Sequence, residues 1–130
     1  MPSTHLPITA LFAGVNAVWN IALAANVSRV RGKTTVLLGT GDSKELLIAA
    51  RRHANNAEYL PLALLLILIA ELGGGHATML YVLGGMLTVG RLVHPFGLSD
   101  KPSSPRVIGA LLTWLSIILG GGYAISVHLR

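Results

Sequence analysis

Residues 45–72, ELLIAARRHANNAEYLPLALLLILIAEL, leave this chain few folds to choose from. From 59 to 70 nearly every residue is apolar, whereas the preceding turns carry Arg51, Arg52, His53, Asn55, Asn56 and Glu58. An α-helix rises about 1.5 Å per residue, so the stretch is long enough to cross a hydrocarbon layer of roughly 30 Å. It reads as a membrane helix with its charges gathered toward one end.

The spacing of those charges predicts a site. Arg51, Asn55 and Glu58 are four and then three residues apart, which stacks them on one helical face; Arg52, Asn56 and Tyr59 repeat the pattern one position round. An ionisable group at bilayer depth costs from about 2.5 kcal/mol upward, so such groups turn toward a neighbouring helix or a wet cavity. The competing reading is that the arginines lift their heads to the lipid phosphates. It suits Glu58 less well, because anionic lipid does not attract a carboxylate and Glu58 lies deeper than the arginines.

The rest of the chain repeats the apolar theme. With 52% hydrophobic residues, 12% charged residues and a mean hydropathy of +0.65, the composition is that of a membrane protein. One domain, 1–130, is expected to form an all-α bundle of four transmembrane helices at about 6–27, 45–72, 76–97 and 105–128. The first segment lacks the basic flank of a signal peptide and exceeds its usual apolar length, so it reads as a retained span. On it, Asn16, Asn20 and Gly14 suggest a polar, close-packed face toward another helix. Residues 28–44 form a basic loop with Asp42 or Ser43 placed to cap the second helix.

Gly73, Gly74 and Gly75 then break the run, and the short connection makes the second and third helices antiparallel neighbours. That returns Arg91 and His94 to the membrane side of Arg51 and Glu58. Ser104 and Pro105 signal the start of a fourth helix with Arg106 in its first turn. The helix dipole already places partial positive charge there, so the pairing favours an anion. Near the far end of this helix, Gly120, Gly121 and Gly122 suggest close packing.

Several function classes are disfavoured. Cysteine is absent, which removes disulfides, thiolate metal ligands and a cysteine nucleophile. The net charge of +5 sits at the ends of apolar segments, where anionic headgroups or an anionic ligand are better partners than nucleic acid. GTGDSK at 39–44 lacks the phosphate-loop pattern, and the histidines have no metal-ligand spacing. Basic residues concentrate in the first and third loops. By the positive-inside rule both loops face the cytoplasm, with both termini on the non-cytoplasmic side.

These residues resemble a known family. RRHANNAEYLP at 51–61, GRLVH at 90–94, the arginine after Ser104 and Pro105, and four spans in this order are similar to the MAPEG family, membrane-associated proteins of eicosanoid and glutathione metabolism, and to its short bacterial members in particular. The resemblance covers nearly the whole chain. It implies a homotrimer in the bacterial inner membrane, with glutathione bound as co-substrate between subunits near the cytoplasmic face and its thiolate directed at a lipophilic small molecule.

By the same resemblance Arg51 meets a glutathione carboxylate, Asn55 hydrogen-bonds the peptide, and Glu58 pairs with the γ-glutamyl ammonium. Tyr59, Arg91 and His94 complete the substrate-binding cradle, and Arg106 is the catalytic arginine that stabilises the thiolate. Arg29 or Arg31 reaches a neighbouring subunit's site. The chemistry is coherent: a thiol with pKa near 8.5 needs a cation to ionise at neutral pH, and arginine forks suit carboxylates. One departure is Leu98, where some eicosanoid enzymes have tyrosine; His94 stands where other relatives have tyrosine. Two alternatives follow: a non-catalytic protein that binds lipid or a partner in the same cleft, and a small bundle whose arginines only anchor headgroups.

Overall fold

The computed structural model describes residues 5–99 and 101–129. Its elements are α1 (Pro7–Thr34), α2 (Lys44–Leu72), α3 (Ala77–Val93), a 3-10 turn (His94–Gly97) continuing α3, and α4 (Ser104–His128). Four of the helical runs, counting α3 with its 3-10 extension, are long and apolar enough to span a membrane. Together they form an antiparallel bundle in which α1 packs on α2 and α3, and α4 packs on α3 and α2.

The interior is a stack of leucine, isoleucine and alanine. Leu60, Ala63, Ile67 and Ala70 of α2 meet Leu80, Leu83 and Leu87 of α3, with Ile8 and Ala124 closing the layer. The outer surface is equally apolar: Val18, Ile21, Ile118 and Ile125 are well exposed. In water such a surface would drive aggregation, whereas acyl chains solvate it.

With oil inside and outside, polar contacts help to fix which helix meets which. Asn16 of α1 donates to Thr88 Oγ1 of α3 at 2.8 Å. Asn56 of α2 donates to Asn20 Oδ1 of α1 at 3.0 Å. Ser116 of α4 donates to the Leu83 carbonyl of α3 at 2.9 Å. The expected polar face of α1 is therefore present, but Gly14 is not part of its close packing: a β-carbon there would meet nothing within 4 Å.

Helix ends differ most from expectation at the end of α1. α1 runs on to Thr34 instead of ending near residue 27, so Arg29, Arg31 and Lys33 belong to its last two turns rather than to a loop. Arginine and lysine are good helix formers and sit favourably at the negative end of the helix dipole. Thr35 then stops the helix in the left-handed conformation (φ 56°). Ser43 caps α2, accepting from the Leu46 amide at 3.2 Å, with Glu45 in the first turn. At the other end Gly74 takes φ 77° to turn the chain, a conformation open to glycine at little cost.

The start of α1 is capped from another helix. Leu6 offers no side-chain acceptor; instead the Glu71 carboxylate of α2 accepts from the amides of Ile8 at 3.0 Å and Thr9 at 2.7 Å. A negative charge at a helix N-terminus satisfies otherwise unpaired N–H groups and opposes the dipole.

Candidate functional site

The site begins with Arg91, which α3 carries into the protein interior with 2% of its surface exposed. A guanidinium at that depth requires partners. Its Nε donates to Thr113 Oγ1 of α4 at 2.9 Å, and its Nη1 donates to Asn55 Oδ1 at 3.0 Å and to the Asn55 carbonyl at 3.3 Å. The Tyr59 ring lies below, 5.5 Å from the guanidinium carbon, within range of a cation–π contact. Arg91 thus joins α2, α3 and α4 at one point.

Glycines let the helices approach that closely. A β-carbon on Gly90 would lie 2.8 Å from Thr113 Oγ1, and one on Gly109 would lie 2.6 Å from the His94 β-carbon. These two positions seat α4 against the end of α3 and bring the fourth helix's first turns over Arg91.

Beside this junction is a cleft of about 360 Å³, within the range of about 300–1,000 Å³ common for small-molecule sites. Its polar wall is Asn55, Tyr59, Arg91, His94 and Arg106, and its apolar wall is Val107, Ala110, Leu111 and Trp114. Two guanidinium groups and no described carboxylate line it, so its chemistry suits an anion. The apolar wall is continuous with the lipid-facing side of α4, where Leu111 and Trp114 are about half exposed.

Arg106 is exposed in the first turn of α4. The helix begins one residue earlier than expected, with Ser103 as the capping position, Ser104 opening the helix and Pro105 following it. The Ser103 hydroxyl does not cap the helix; it donates to the Gly97 carbonyl at 2.6 Å. The first-turn amides therefore keep their partial positive charge next to the Arg106 guanidinium.

Asn55, Tyr59, Arg91, His94 and Arg106 thus line one cleft. Arg51 and Glu58 do not line the cleft. They pair with each other at 3.9 Å on the outer side of α2, both more than half exposed. Seven residues bring them almost back to one angle on the helix, whereas Asn55 sits farther round and is drawn inward by Arg91. Arg31 is occupied by the loop that follows α1, donating to the carbonyls of Val36, Leu37 and Gly39. Arg29 donates to Asn26 Oδ1 at 2.8 Å. Leu98 is absent from the cleft wall, and its carbonyl accepts from Arg52 at 3.2 Å.

Sequence reasoning missed Thr113, Trp114 and Trp19, whose indole N–H donates to the Arg91 carbonyl at 2.9 Å. Thr113 had a signal: it is a hydroxyl within the apolar run of α4, seven residues after Arg106 and hence on the same side of the helix. Among the described residues no three His, Asp or Glu side chains cluster as a metal site requires.

The MAPEG family matches residues 9–126. The inner membrane protein YecN of Escherichia coli K12 is 33% identical over 112 residues, covering 86% of each chain. YecN of E. coli O6:H1 matches to the same extent. No solved structure matches. Four spans and an inner-membrane relative make this a multi-pass inner membrane protein. A family match across nearly the whole chain, with a relative 33% identical over most of it, shows that the chain belongs to the MAPEG family.

Proposed function

We propose that the protein is a glutathione-dependent transferase or peroxidase acting on lipophilic electrophiles. The observation that carries this reading is the cleft itself, with Arg91, Arg106, Asn55 and Tyr59 on one wall and a lipid-facing apolar wall on the other. Glutathione fits the polar wall: it carries two carboxylates and a peptide backbone, which arginine forks and an asparagine amide recognise. When bound, it supplies the thiol nucleophile.

Each residue then has a defined task. Arg91 holds Asn55 in one orientation and contributes positive charge from the cleft floor. Arg106 and the uncapped first turn of α4 stabilise a thiolate over a thiol. Val107, Leu111 and Trp114 admit an apolar co-substrate from the bilayer and keep water from the reacting sulfur.

Arg51 and Glu58 fit the same reading in a homotrimer. They form a charged pair on the subunit surface, available to complete the cleft of a neighbouring subunit by binding a carboxylate and an ammonium. The basic residues around 29–44 and 101–106 support a cleft at the cytoplasmic face with both termini on the opposite side. Conjugation of glutathione to a chlorinated nitrobenzene by the purified protein, greatly reduced by Arg106→Ala, tests the proposal; failure of glutathione to bind refutes it.

A second reading has its own support. Leu98 brings no hydroxyl to the cleft, and Arg91 is engaged by Thr113 and Asn55. Both favour a non-catalytic member that holds a lipid or partner in the same place. It predicts lipid retained through purification and no thiol-dependent turnover.

A further inference from the structure

On the side of α2 away from the cleft, two hollows meet at Arg52 and Asn26. The one nearer the basic loops, about 260 Å³, is bounded by Arg29, Arg52, Asn26 and Glu45. The deeper one, about 210 Å³, is bounded by Trp19, Leu23, Pro95 and Phe96. Trp19 and Phe96 stack at 6.2 Å along it. The upper hollow is cationic and the lower one apolar.

Among the described residues no ion pair neutralises Arg52 or Arg29. Arg52 is anchored by its donation to the Leu98 carbonyl, yet its buried Nε finds no acceptor among the described residues. The Arg29 guanidinium is held by Asn26 at the same rim. Glu45, the carboxylate of this hollow, is turned to Lys33 at 3.9 Å. A buried guanidinium N–H without an acceptor marks a position where an anionic oxygen fits.

We propose that this paired hollow binds an anionic phospholipid, its phosphate between Arg52 and Arg29 and the upper part of an acyl chain along Trp19 and Phe96. A free phosphate would satisfy the arginines and leave the aromatic hollow unused. A neutral amphiphile would fill the hollow and leave Arg52 Nε without an acceptor. An anionic lipid does both, and it bridges α1, α2 and the 3-10 turn that carries His94. The proposal does not rest on glutathione binding: none of the residues invoked lines the cleft of its own subunit.

The test uses full-length protein in a neutral detergent, with lipid retention read by native mass spectrometry and thermal stability measured in parallel. Phosphatidylglycerol should be retained and should raise the melting temperature, whereas phosphatidylcholine and inorganic phosphate should do neither. Arg52→Gln and, separately, Arg29→Gln should each lower phosphatidylglycerol affinity about tenfold, the loss of one charge-assisted hydrogen bond. Lys101→Gln, which removes an exposed charge at the same end of the bundle, should not change it. Arg29 is exposed, so its variant gives a result even if Arg52→Gln does not fold. The proposal is overturned if the two lipids are retained equally, if inorganic phosphate protects as well as phosphatidylglycerol, or if Arg29→Gln retains the lipid like the unmodified protein.

Discussion

Arg91 and Asn55 lie 36 residues apart and on different helices, yet the Arg91 Nη1 reaches both the side-chain oxygen of Asn55 at 3.0 Å and its backbone carbonyl at 3.3 Å. Gripping side chain and backbone together fixes the rotation of α2 at that level. Arg91→Ala removes this link and leaves Thr113 Oγ1 without its guanidinium partner. The cost is about 3 kcal/mol, from the lost charge-assisted bonds and a cavity, and should show as a clear drop in melting temperature in detergent. Arg91→Lys cannot reproduce the fork and should recover only part of it.

Arg106 has the opposite character. It is exposed and no described ion pair involves it, so Arg106→Ala should leave thermal stability within about 0.5 kcal/mol. Conjugation should fall about 100-fold or more, as when a group that stabilises reacting charge is removed. The contrast between unchanged melting and lost turnover separates a catalytic role from a structural one.

The glycine seating of α4 is testable by adding one methyl group. Gly109→Ala places a β-carbon against the His94 backbone and β-carbon, forcing α4 away from the 3-10 turn at a cost of about 1–3 kcal/mol. Gly85→Ala meets nothing within 4 Å and should be neutral or stabilise slightly through helix propensity. Paired melting curves of the two variants check this.

Glu71 gives a local prediction at the other end of the bundle. Glu71→Gln weakens the cap on α1 and should cost about 1 kcal/mol. Hydrogen exchange should accelerate at the amides of Ile8 and Thr9, while glutathione binding stays unchanged.

Four spans and the meeting of α2 with α3 could be read from the sequence because hydropathy and loop length dictate them. So could the return of Arg91 to the membrane side of Arg51 and Glu58, since an antiparallel connection at 73–76 brings the chain back by similar lengths. The end of α1 was less legible: Arg29, Arg31 and Lys33 looked like loop residues because they are charged, although their propensity and the dipole extend the helix. The separation of Asn55 from Arg51 and Glu58 depends on a few tens of degrees of helix rotation. Arg91 and Thr113 set that rotation through tertiary contacts that no local spacing encodes. Glu71 was hidden for the same reason, because its role depends on where the N-terminus of α1 lies in space.

The most direct test of the proposed function is a titration of glutathione into the purified protein at neutral pH, following the ultraviolet absorbance of the thiolate. The account predicts a saturable thiolate signal, lost in Arg106→Ala although that variant melts like the unmodified protein. Absence of saturable glutathione binding by the folded protein, or a thiolate signal that survives Arg106→Ala, would contradict it.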